Sequence, residues 1–440
     1  MSKAARLIER LSELHPKGFD LSLERISRLL ERLGNPHLRM PPVIHIAGTN
    51  GKGSASAFSR ALLEAAGHTV HVHTSPHLVN WHERYRIGTP GGGRLVGDDV
   101  LADALQRVAD ANQGEKITVF ELLTAAMFLL FTEHPADAAI LEVGLGGRFD
   151  ATNVIPSPAV SVIMPISLDH QAFLGDRVEL IASEKAGIIK RGCPVVIGYQ
   201  EWDTARDVLI ERAERLRCPL RVYGQDFVAH EERGRLVYQD EDGLLDLPLP
   251  RLRGRHQLAN AAAAIAAVKS AGFSLTLEAA ETAMQAVTWP ARLQQLTSGP
   301  LVDLAPEGAE LWLDGGHNPD AGAVIAEALA AVEERHPRPL ILVAGMINTK
   351  DQTGFFRAFQ GMARRVYTVP ITSSEAGVPH DVLAARAMEA GLEAEPMSSV
   401  ESALSLLRDT WTGDVAPRIL ICGSLYLAGD VLAANNMPPT

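Results

Sequence analysis

The sequence predicts an α/β protein with two domains, each built on a mainly parallel sheet that helices cover on both faces. Short apolar, β-rich runs alternate with longer helical patterns, which is typical of βαβ units. After Trp289-Pro290 and a polar stretch, the alternation restarts. The chain has 440 residues, which is enough for two or three domains of ordinary size. We therefore predict domains over residues 1–290 and 291–440, the second being the smaller.

Buried-type runs predict the strands of the first domain at Val43–Ala47, Thr69–His73, Ala138–Val143, Ala159–Ile163 and Pro194–Gly198. Helical patterns are predicted at Ser54–Ala66, Thr118–Phe131 and the alanine-rich Gln257–Ala271. Between the last strand and the last helix, Arg221–Pro250 alternates polar and apolar residues around a turn. This pattern is typical of an antiparallel hairpin on the surface rather than of a βαβ unit.

The second domain repeats the strand and helix alternation on a smaller scale. Its predicted strands are Leu311–Leu313, Leu340–Val343, Val366–Val369 and Ile419–Cys422, and its first predicted helix is Ala321–Val332. Strands separated by helices in a segment of this size predict a Rossmann-like α/β domain.

The composition is that of a globular protein, with 46% hydrophobic and 21% charged residues. Forty-one Lys and Arg against 53 Asp and Glu give a net charge of −12, which disfavours a general nucleic-acid binder. Three widely spaced cysteines support neither a disulfide framework nor a cysteine zinc site. The N-terminus lacks the apolar core of a signal peptide, and the longest apolar stretch, Leu122–Phe131, is far shorter than the about 20 residues of a membrane span. We expect a cytoplasmic protein without nucleic-acid or membrane partners.

A glycine-rich loop, GTNGKGS at Gly48–Ser54, lies between the first predicted strand and the first predicted helix. This is the context of a phosphate-binding loop, in which glycines let backbone N–H groups approach phosphate oxygens and a lysine reaches the terminal phosphates. The spacing is a variant of the common pattern, because only two residues separate Gly48 from Gly51 and Gly53 precedes Ser54. A glycine turn with a solvated lysine is the alternative. We predict an N-terminal P-loop ATPase domain.

A second glycine-rich segment, EVGLGGRFD, begins at Glu142. It does not match the dinucleotide-binding pattern, because Phe149 stands where the third glycine belongs, and a tight turn at a strand end explains it better. Glu142 ends an apolar strand, where an acidic side chain is poorly solvated unless it has a partner. A magnesium ion at the phosphate site is such a partner.

Several motifs occur together in a fixed order along the chain. They are GTNGKGS from Gly48, TSPHL from Thr74, FE from Phe120, EVGLGGRFDATN from Glu142, SLDH from Ser167, EKAGI from Glu184 and DGGHNP from Asp314. In this order they resemble the folylpolyglutamate synthase and dihydrofolate synthase family of the Mur ligase superfamily, over nearly the whole chain.

The resemblance implies an ATP-dependent ligase that joins L-glutamate to dihydropteroate, to folate polyglutamates, or to both as a bifunctional enzyme. In this family the acceptor carboxylate first becomes an acyl phosphate, which the glutamate amine then attacks. The resemblance also implies ATP and two Mg²⁺ ions as cofactors, and a monomeric enzyme.

Motif by motif, the resemblance assigns ATP contacts to Thr49, Asn50, Gly51, Lys52, Gly53, Ser54, Asn260, Arg292 and Asp314. It assigns the metal to Ser75, Glu142 and His170. Oxygen ligands suit magnesium, so Ser75 and Glu142 are chemically natural, whereas His170 rests on the resemblance and is otherwise a buried, hydrogen-bonded histidine. The alternative for Arg292 is a surface salt bridge.

The resemblance gives Lys52, Lys185 and His317 catalytic roles. Lys185 matches a lysine that carbon dioxide carbamylates in the family, which would turn a cation into a carboxylate. An ion pair with Glu184 or Asp169 is its alternative. His317 is expected near the acyl phosphate or the glutamate, and a helix-capping turn is the competing interpretation.

The pterin or folate positions implied by the resemblance are Gly18, Phe19, Asp20, Leu21, Phe120, Glu121, Phe149, Asp150 and Ala151. An aromatic ring can stack on a flat pterin and a carboxylate can pair with its edge, but the two phenylalanines Phe19 and Phe120 are otherwise ordinary core residues. Ser424 resembles a position near the glutamate site, and the alternative is a serine that ends a strand.

Two other functions compete with this assignment. A Mur ligase of cell-wall synthesis carries a separate N-terminal nucleotide-sugar domain, for which the short lead before Gly48 leaves no room. A P-loop nucleotide-binding module without ligase activity would need neither the EVGLGG, SLDH and DGGHNP segments nor a second α/β domain. The motifs do not separate dihydrofolate synthase from folylpolyglutamate synthase activity.

Overall fold

The computed structural model describes residues 2–15 and 22–440. Within them, the N-terminal sheet has eight strands: β1 (Val43–Ala47), β2 (Val70–His73), β3 (Tyr85–Ile87), β4 (Arg94–Leu95), β5 (Ala138–Glu142), β6 (Val160–Ile163), β7 (Val195–Ile197) and β8 (Leu220–Val222). Their order is β4-β3-β2-β5-β1-β6-β7-β8. In this spatial order, the six strands β2, β5, β1, β6, β7 and β8 are parallel to one another. Strands β3 and β4 continue the sheet beyond β2 as an antiparallel edge.

Helices cover both faces of this sheet. They are α1 (Lys3–Ser12), α2 (Glu24–Arg32), α3 (Lys52–Ala65), α4 (Asp98–Asn112), α5 (Val119–Glu133), α6 (Gln171–Leu174), α7 (Val178–Lys185), α8 (Asp203–Arg215), α9 (His256–Ser270) and α10 (Leu277–Ala286). Every residue of β1 is buried, as expected for a central parallel strand with helices on both sides. The alanine run of α9 is buried against α3 and the sheet, because small side chains allow the two helices to approach closely.

Three antiparallel strands form a separate small sheet: β9 (Phe227–Glu232), β10 (Arg235–Asp240) and β11 (Gly243–Pro248). The structure differs here from the predicted hairpin. The start of the segment, β8, joins the large sheet as a parallel edge strand. The remaining strands bury Leu236, Tyr238 and Leu247 in the core that α9 shares, so one face of the small sheet is part of the domain rather than surface.

The C-terminal sheet contains β12 (Gln294–Leu296), β13 (Glu310–Leu313), β14 (Leu340–Ala344), β15 (Ala363–Thr368), β16 (Ala394–Pro396) and β17 (Arg418–Cys422). Its order is β12-β13-β17-β14-β15-β16, and only the pairing of β12 is antiparallel. The helices are α11 (Pro300–Leu304), α12 (Pro319–Glu333), α13 (Gln352–Arg357), α14 (His380–Glu389), α15 (Val400–Thr410) and α16 (Leu425–Ala434). A large, mostly parallel sheet followed by a smaller α/β unit confirms the predicted fold class.

The chain passes from α10 to β12 through residues 287–293, and the second sheet begins three residues after the boundary predicted at Ala291. Ala291 and Leu293 have left-handed backbone, with φ of 55° and 41°. Residues other than glycine rarely adopt it, so surrounding contacts must hold it. The backbone N–H of Leu293 donates to Asp314 Oδ2 at 2.8 Å, and that of Ala291 donates to Gln294 Oε1 at 2.9 Å. Arg292 is thereby fixed between two constrained residues.

The carboxyl ends of the parallel strands define where the functional loops lie. In the N-terminal sheet β1, β2, β5 and β6 end at one edge, and in the C-terminal sheet β13, β17 and β14 do the same. Hydrogen bonds between Asn50 and Asn318 show that the two edges meet. In the described part of the chain, no helix is both long and apolar enough to cross a membrane.

Candidate active site in the interdomain cleft

A cavity of about 1700 Å³ lies between the two sheet edges. Loops that follow parallel strands of both sheets line it, and they carry most of the residues predicted from the motifs. Open α/β sheets bind ligands at the carboxyl ends of their strands, so the cleft is the expected position for a site.

Three positions of the phosphate loop require glycine, because neighbouring groups leave no space for a Cβ. A Cβ at Gly48 would lie 2.6 Å from the Cβ of Met164, and one at Gly51 would lie 2.8 Å from Asn260 Oδ1. A Cβ at Gly53 would lie 2.6 Å from the indole nitrogen of Trp289. The loop is therefore packed tightly from behind, while its other side faces the cavity.

The loop is also tied to the segment after β6. Thr49 Oγ1 donates to the Ser167 carbonyl at 3.1 Å and accepts the Ser167 N–H at 3.1 Å, and Asn50 Nδ2 donates to Ser167 Oγ at 3.2 Å. Helix α3 begins at Lys52, so its first N–H groups, up to that of Ser54, have no partner within the helix. Free N–H groups at a helix N-terminus next to a cavity form a place for an anion such as phosphate.

Lys52 points along this loop. Its Nζ donates to the carbonyls of Gly48 and Thr49, at 3.0 Å each, and the side chain lines the cavity. Burial lowers the pKa of Lys52, while the carboxylates of Glu142 and Asp169 oppose the shift. A terminal phosphate could replace the two carbonyls as the partner of the ammonium group.

The three metal candidates come from three strand ends, and all line the cavity. Ser75 follows β2, and its Oγ is buried without a hydrogen-bond partner. Glu142 ends β5, where burial raises its pKa to about 7 against the opposing charges of Lys52 and Arg292. His170 follows β6 in left-handed backbone, with φ of 54°, and its side chain is 42% exposed. Partial desolvation, followed by repulsion from Lys350, lowers its pKa to about 4, so the imidazole is neutral at pH 7.

This donor set fits magnesium that is completed by phosphate oxygens and water. An orphaned hydroxyl and a poorly solvated carboxylate are both relieved by a divalent cation. Among residues 2–15 and 22–440, no three His, Cys, Asp or Glu side chains form a cluster that could bind a metal alone. Mg²⁺ in proteins keeps several waters and binds through one or two carboxylates together with phosphates.

Lys185, at the end of α7, is 5% exposed and lies behind the phosphate loop. Its Nζ donates to the Gly48 carbonyl at 2.9 Å, the same oxygen that Lys52 contacts. Burial, followed by repulsion from Lys52, lowers the pKa of Lys185 to about 7. No ion pair with Glu184 or Asp169 forms in the described structure, where the carbonyl takes their place.

The remaining ATP candidates surround the loop from α9 and the linker. Asn260 is buried on α9, donates to Gln257 Oε1 at 3.1 Å and lies behind Gly51. Arg292 lines the cavity, and its Nη1 donates to the Ala291 carbonyl at 2.8 Å. Asp314 accepts backbone N–H groups of Leu293 and Gly316, and burial raises its pKa. Asp314 thus organises the linker and the DGGHNP turn together.

The DGGHNP turn provides a helix cap and a cavity-lining histidine at once. Asn318 Oδ1 accepts the N–H of Ala321 at 2.8 Å and caps α12. His317 is left free of that role: its Nδ1 donates to the Gly315 carbonyl at 2.9 Å and its ring lines the cavity. Ser424 also lines the cavity, but its Oγ caps α16 by accepting the N–H of Tyr426 at 3.1 Å.

The pterin candidates Gly18, Phe19, Asp20 and Leu21 lie outside the described residues. Of the others, Phe120 packs on Gly144, where a Cβ would lie 2.5 Å from its ring. Asp150 accepts the N–H groups of Gly144 and Leu145 at 3.0 and 2.9 Å, so its carboxylate shapes the EVGLGG loop. These positions lie behind that loop, whose residues 144–146 line the cavity.

The other described pterin candidates include groups that stabilise the local structure and one buried oxygen that has no hydrogen-bond partner. Glu121 forms a capping box with Thr118 and an ion pair with Arg25, yet its Oε1 is buried without a partner. The Arg148 guanidinium lies 4.9 Å from the centre of the Phe149 ring. Ala151 is buried at the start of a short 3₁₀ turn.

Sequence reasoning missed the contacts that cross the cleft. Lys350 Nζ lies 2.6 Å from Asp169 Oδ1, and Asn318 exchanges hydrogen bonds with Asn50 at 3.0 and 3.3 Å. The signal for Asp169 was its place in the SLDH motif beside His170. Nothing local marked Lys350, because its partner is 181 residues away.

Two models of known protein families match successive parts of the chain. The Mur ligase middle domain matches residues 46–268, and the Mur ligase glutamate ligase domain matches residues 301–425. The folylpolyglutamate synthase of Lacticaseibacillus casei is 34% identical over 421 residues, covering 92% of this chain and 92% of that protein. The dihydrofolate synthase/folylpolyglutamate synthase of Escherichia coli K12 is 30% identical over 435 residues, covering 98% and 95%.

Solved structures agree over the full length. Escherichia coli FolC in complex with DHPP and ADP has a TM-score of 0.86 at 28% identity and covers 99% of this chain and 98% of its own. A bifunctional folylpolyglutamate synthase/dihydrofolate synthase with Mn, AMPPNP and L-glutamate bound has a TM-score of 0.83 at 30% identity, covering 99% and 98%. The predicted resemblance is confirmed: the chain belongs to the folylpolyglutamate synthase and dihydrofolate synthase family of Mur ligases.

Proposed function

We propose that this chain is an ATP-dependent ligase that joins the amine of L-glutamate to the carboxylate of dihydropteroate and of folate polyglutamates. One observation carries the proposal: a phosphate loop and the DGGHNP turn face each other across a single cavity large enough for two substrates and a nucleotide. Relatives of the same fold have been solved with ADP and DHPP, and with AMPPNP and L-glutamate.

The chemistry requires activation of a poor electrophile. Transfer of the γ-phosphoryl group to the acceptor carboxylate releases ADP and gives an acyl phosphate. The neutral glutamate amine then attacks the acyl carbon, and the tetrahedral intermediate loses phosphate and a proton to give the amide. Such a reaction depends mainly on positioning and charge neutralisation, which here fall to the α3 N-terminus, Lys52 and Arg292.

We assign the metal to Ser75, Glu142 and His170. Magnesium held there would neutralise charge on the phosphate oxygens. The unpartnered Ser75 Oγ supports this assignment. The Glu142 carboxylate supports it too, because it is buried and poorly solvated although the backbone of Ser75 donates a hydrogen bond to it. His317 and Ser424 are assigned to the glutamate side of the cavity because both lie on the C-terminal edge.

We also propose that Lys185 is carbamylated. A pKa near 7 leaves much of the side chain as a neutral amine, the form that adds carbon dioxide. The neutral amine forms a new N–C bond to carbon dioxide and loses one proton, so its charge changes from 0 to −1; starting from the ammonium form, two protons are lost and the charge changes from +1 to −1. A ¹³C NMR spectrum in ¹³C-bicarbonate at pH 8 is expected to show a carbamate signal that Lys185→Met lacks and that Lys190→Met keeps. A wild-type spectrum without the signal would refute the modification.

For the pterin we assign the side chains behind the EVGLGG loop, with Phe120 and Phe149 as aromatic surfaces and Glu121 Oε1 as an acceptor. The unpartnered oxygen of Glu121 supports this, because a buried acceptor without a donor is unfavourable until a ligand supplies one. Glu121→Gln is expected to raise KM for dihydropteroate while leaving KM for ATP unchanged. Equal effects on both would argue for a purely structural glutamate.

Phosphate release with ATP, measured with dihydropteroate and L-glutamate added singly and together, tests the ligase. Release should require both substrates, and release that ignores them would favour a nucleotide-binding module. Replacing dihydropteroate by a reduced folate monoglutamate tests the second activity. We further propose a monomer, which sedimentation can check. The three cysteines are free, which agrees with our proposal of a reducing cytoplasm, and cell fractionation can check the compartment.

A further inference from the structure

A buried carboxylate at the domain boundary holds two segments of the opposite domain. Asp169 follows β6, and its Oδ1 lies 2.6 Å from Lys350 Nζ in the loop after β14. Its Oδ2 accepts from Asn318 Nδ2 at 3.4 Å and lies 3.7 Å from His317 Nε2. The same Oδ1 accepts the backbone N–H of His170 at 2.8 Å. One side chain thus contacts the phosphate side, the glutamate side and a metal candidate.

Among the ion pairs of the described residues, this pair is set apart by the burial of both side chains. The side chains of Asp169 and Lys350 are 8% and 6% exposed, whereas the exposed pair of Lys3 with Asp99 is 65% and 81% exposed. Exposed pairs contribute little, but removing one partner of a buried pair leaves an uncompensated charge. The two groups can be buried together only while the two domains are in contact, because each belongs to a different domain.

A second contact depends on the same arrangement. Asn318 gives one amide hydrogen to Asn50 Oδ1 at 3.0 Å and accepts one from Asn50 Nδ2 at 3.3 Å, while its Oδ1 also caps α12. The phosphate loop therefore lies beside the turn that carries His317 only when Asn318 contacts Asn50. Lys350 and Asn318 are on separate loops, so two independent elements of the C-terminal domain meet Asp169 and its neighbours.

We propose that Asp169 and Lys350 are positioning residues that fix the closed arrangement of the two domains and so bring the His317 turn to the phosphate loop. This inference rests on the proposed function, because the pair would align the nucleotide side of the cavity with the glutamate side. Neither residue needs to contact a substrate for this role. Separation of the domains would expose both charges to water, and closure would bury them together against each other.

A merely structural ion pair would have different consequences. It would change the melting temperature of the protein, and each substitution would act on turnover only through loss of folded enzyme. A positioning pair changes the distribution between open and closed forms in fully folded protein. The two roles are therefore distinguished by measuring the radius of gyration and the kcat of the folded protein.

Asp169→Asn, Lys350→Met and the double variant test the proposal. For each single variant we expect kcat at saturating substrates to fall about tenfold or more, and the double variant to be no slower than the worse single one. Small-angle scattering without ligands should give a larger radius of gyration for all three than for wild type. Asp240→Asn is the matched control: it removes a carboxylate that is 10% exposed and pairs with Lys269 inside the N-terminal domain, so the radius should not change.

Losses in kcat that multiply in the double variant, or radii equal to that of wild type in folded variants, would overturn the positioning role. Circular dichroism and the melting temperature establish that each variant is folded. The scattering measurement needs no substrate, so its outcome stands apart from the proposed reaction. A wild-type protein that fails to ligate glutamate refutes the proposed function, whereas unchanged radii refute the closure contact.

Discussion

The phosphate loop and the loops that face it across the cleft are held in different ways. The loop is fixed by its own domain, since Gly51 and Gly53 pack against Asn260 and Trp289 and their neighbours are bonded to the segment after β6. Such a surface is formed whether or not the second domain is near. On the opposite side, the ion pair that Lys350 makes in the described structure crosses the cleft to Asp169.

One half of the site is therefore preformed, and the other half is completed by contact between the domains. Nucleotide binding, which uses mainly the first half, should then tolerate changes at the domain boundary. Ligation, which needs both halves, should not. Substitutions on each side test this distinction.

The largest effect is expected from Lys52→Met on the preformed side. Loss of the cation that would meet the terminal phosphates should slow ligation about 10²- to 10³-fold, in the range found when one electrostatic contact to a transition state is removed. The melting temperature should change little, because the substitution removes a desolvated charge and keeps most of the side-chain volume. Phosphate release measures the rate, with the exposed Lys3→Met as control. A rate within threefold of wild type would contradict the assignment.

Gly53→Ala tests whether the loop is packed as tightly as the structure indicates. The new methyl group would meet the Trp289 indole at 2.6 Å, so we expect a loss of about 1–3 kcal/mol in the free energy of unfolding and weaker binding of ATP. Gly198→Ala is the control, because its nearest neighbour would lie at 3.4 Å, an ordinary contact. Denaturant unfolding and nucleotide titration give the two values. Equal stability of both variants would show that the loop can move away from the indole.

The pH dependence of stability reports on Lys185, also on the preformed side. Because its pKa is lowered to about 7 in the folded protein from 10.5, the unfolded chain binds one more proton between these values. The contribution of Lys185 to the free energy of unfolding therefore rises with pH across this window, by at most about 1.4 kcal/mol per pH unit. Denaturant unfolding of wild type and Lys185→Met in CO₂-free buffer from pH 7 to 9.5 measures the difference. A difference that is flat with pH would contradict the lowered pKa.

The smallest effect on stability is expected on the side completed by closure. Asn318→Ala should lose about 1 kcal/mol through its helix cap, and Thr276→Ala, which removes the cap of α10, should lose a similar amount. Only Asn318→Ala also removes contacts with Asn50 and Asp169, so it alone should slow ligation while ATP affinity stays the same. Equal ligation rates for the two variants would mean that the cross-domain contacts are dispensable.

Local signals explain what could be predicted from the sequence. The phosphate loop follows a fully buried strand and precedes a helix, so strand, turn and helix agree within a short window. The fold class followed from repeated alternation of the same kind. Strand β8 was missed because three residues, Leu220–Val222, carry too little pattern, and they are followed directly by the antiparallel strands that dominate that segment.

Long-range pairing explains what could not be predicted. The partners Asp169 and Lys350 are brought together by two different sheets, and a lysine in a polar loop resembles any solvated lysine. The sequence likewise could not show that the Asp150 carboxylate accepts hydrogen bonds from the backbone of the EVGLGG loop, or that Ser424 caps a helix. The placement of the metal and pterin residues remains a prediction from the motifs.

The carbonyl oxygen of Gly48 links the two lysines that contact it. Lys52 and Lys185 both donate to this oxygen, and repulsion from Lys52 is one cause of the low pKa of Lys185. An incoming triphosphate that draws Lys52 away also brings negative charge toward the loop. Both changes would raise the pKa of Lys185, so nucleotide binding is expected to be coupled to the protonation of this buried amine through the charge of Lys52.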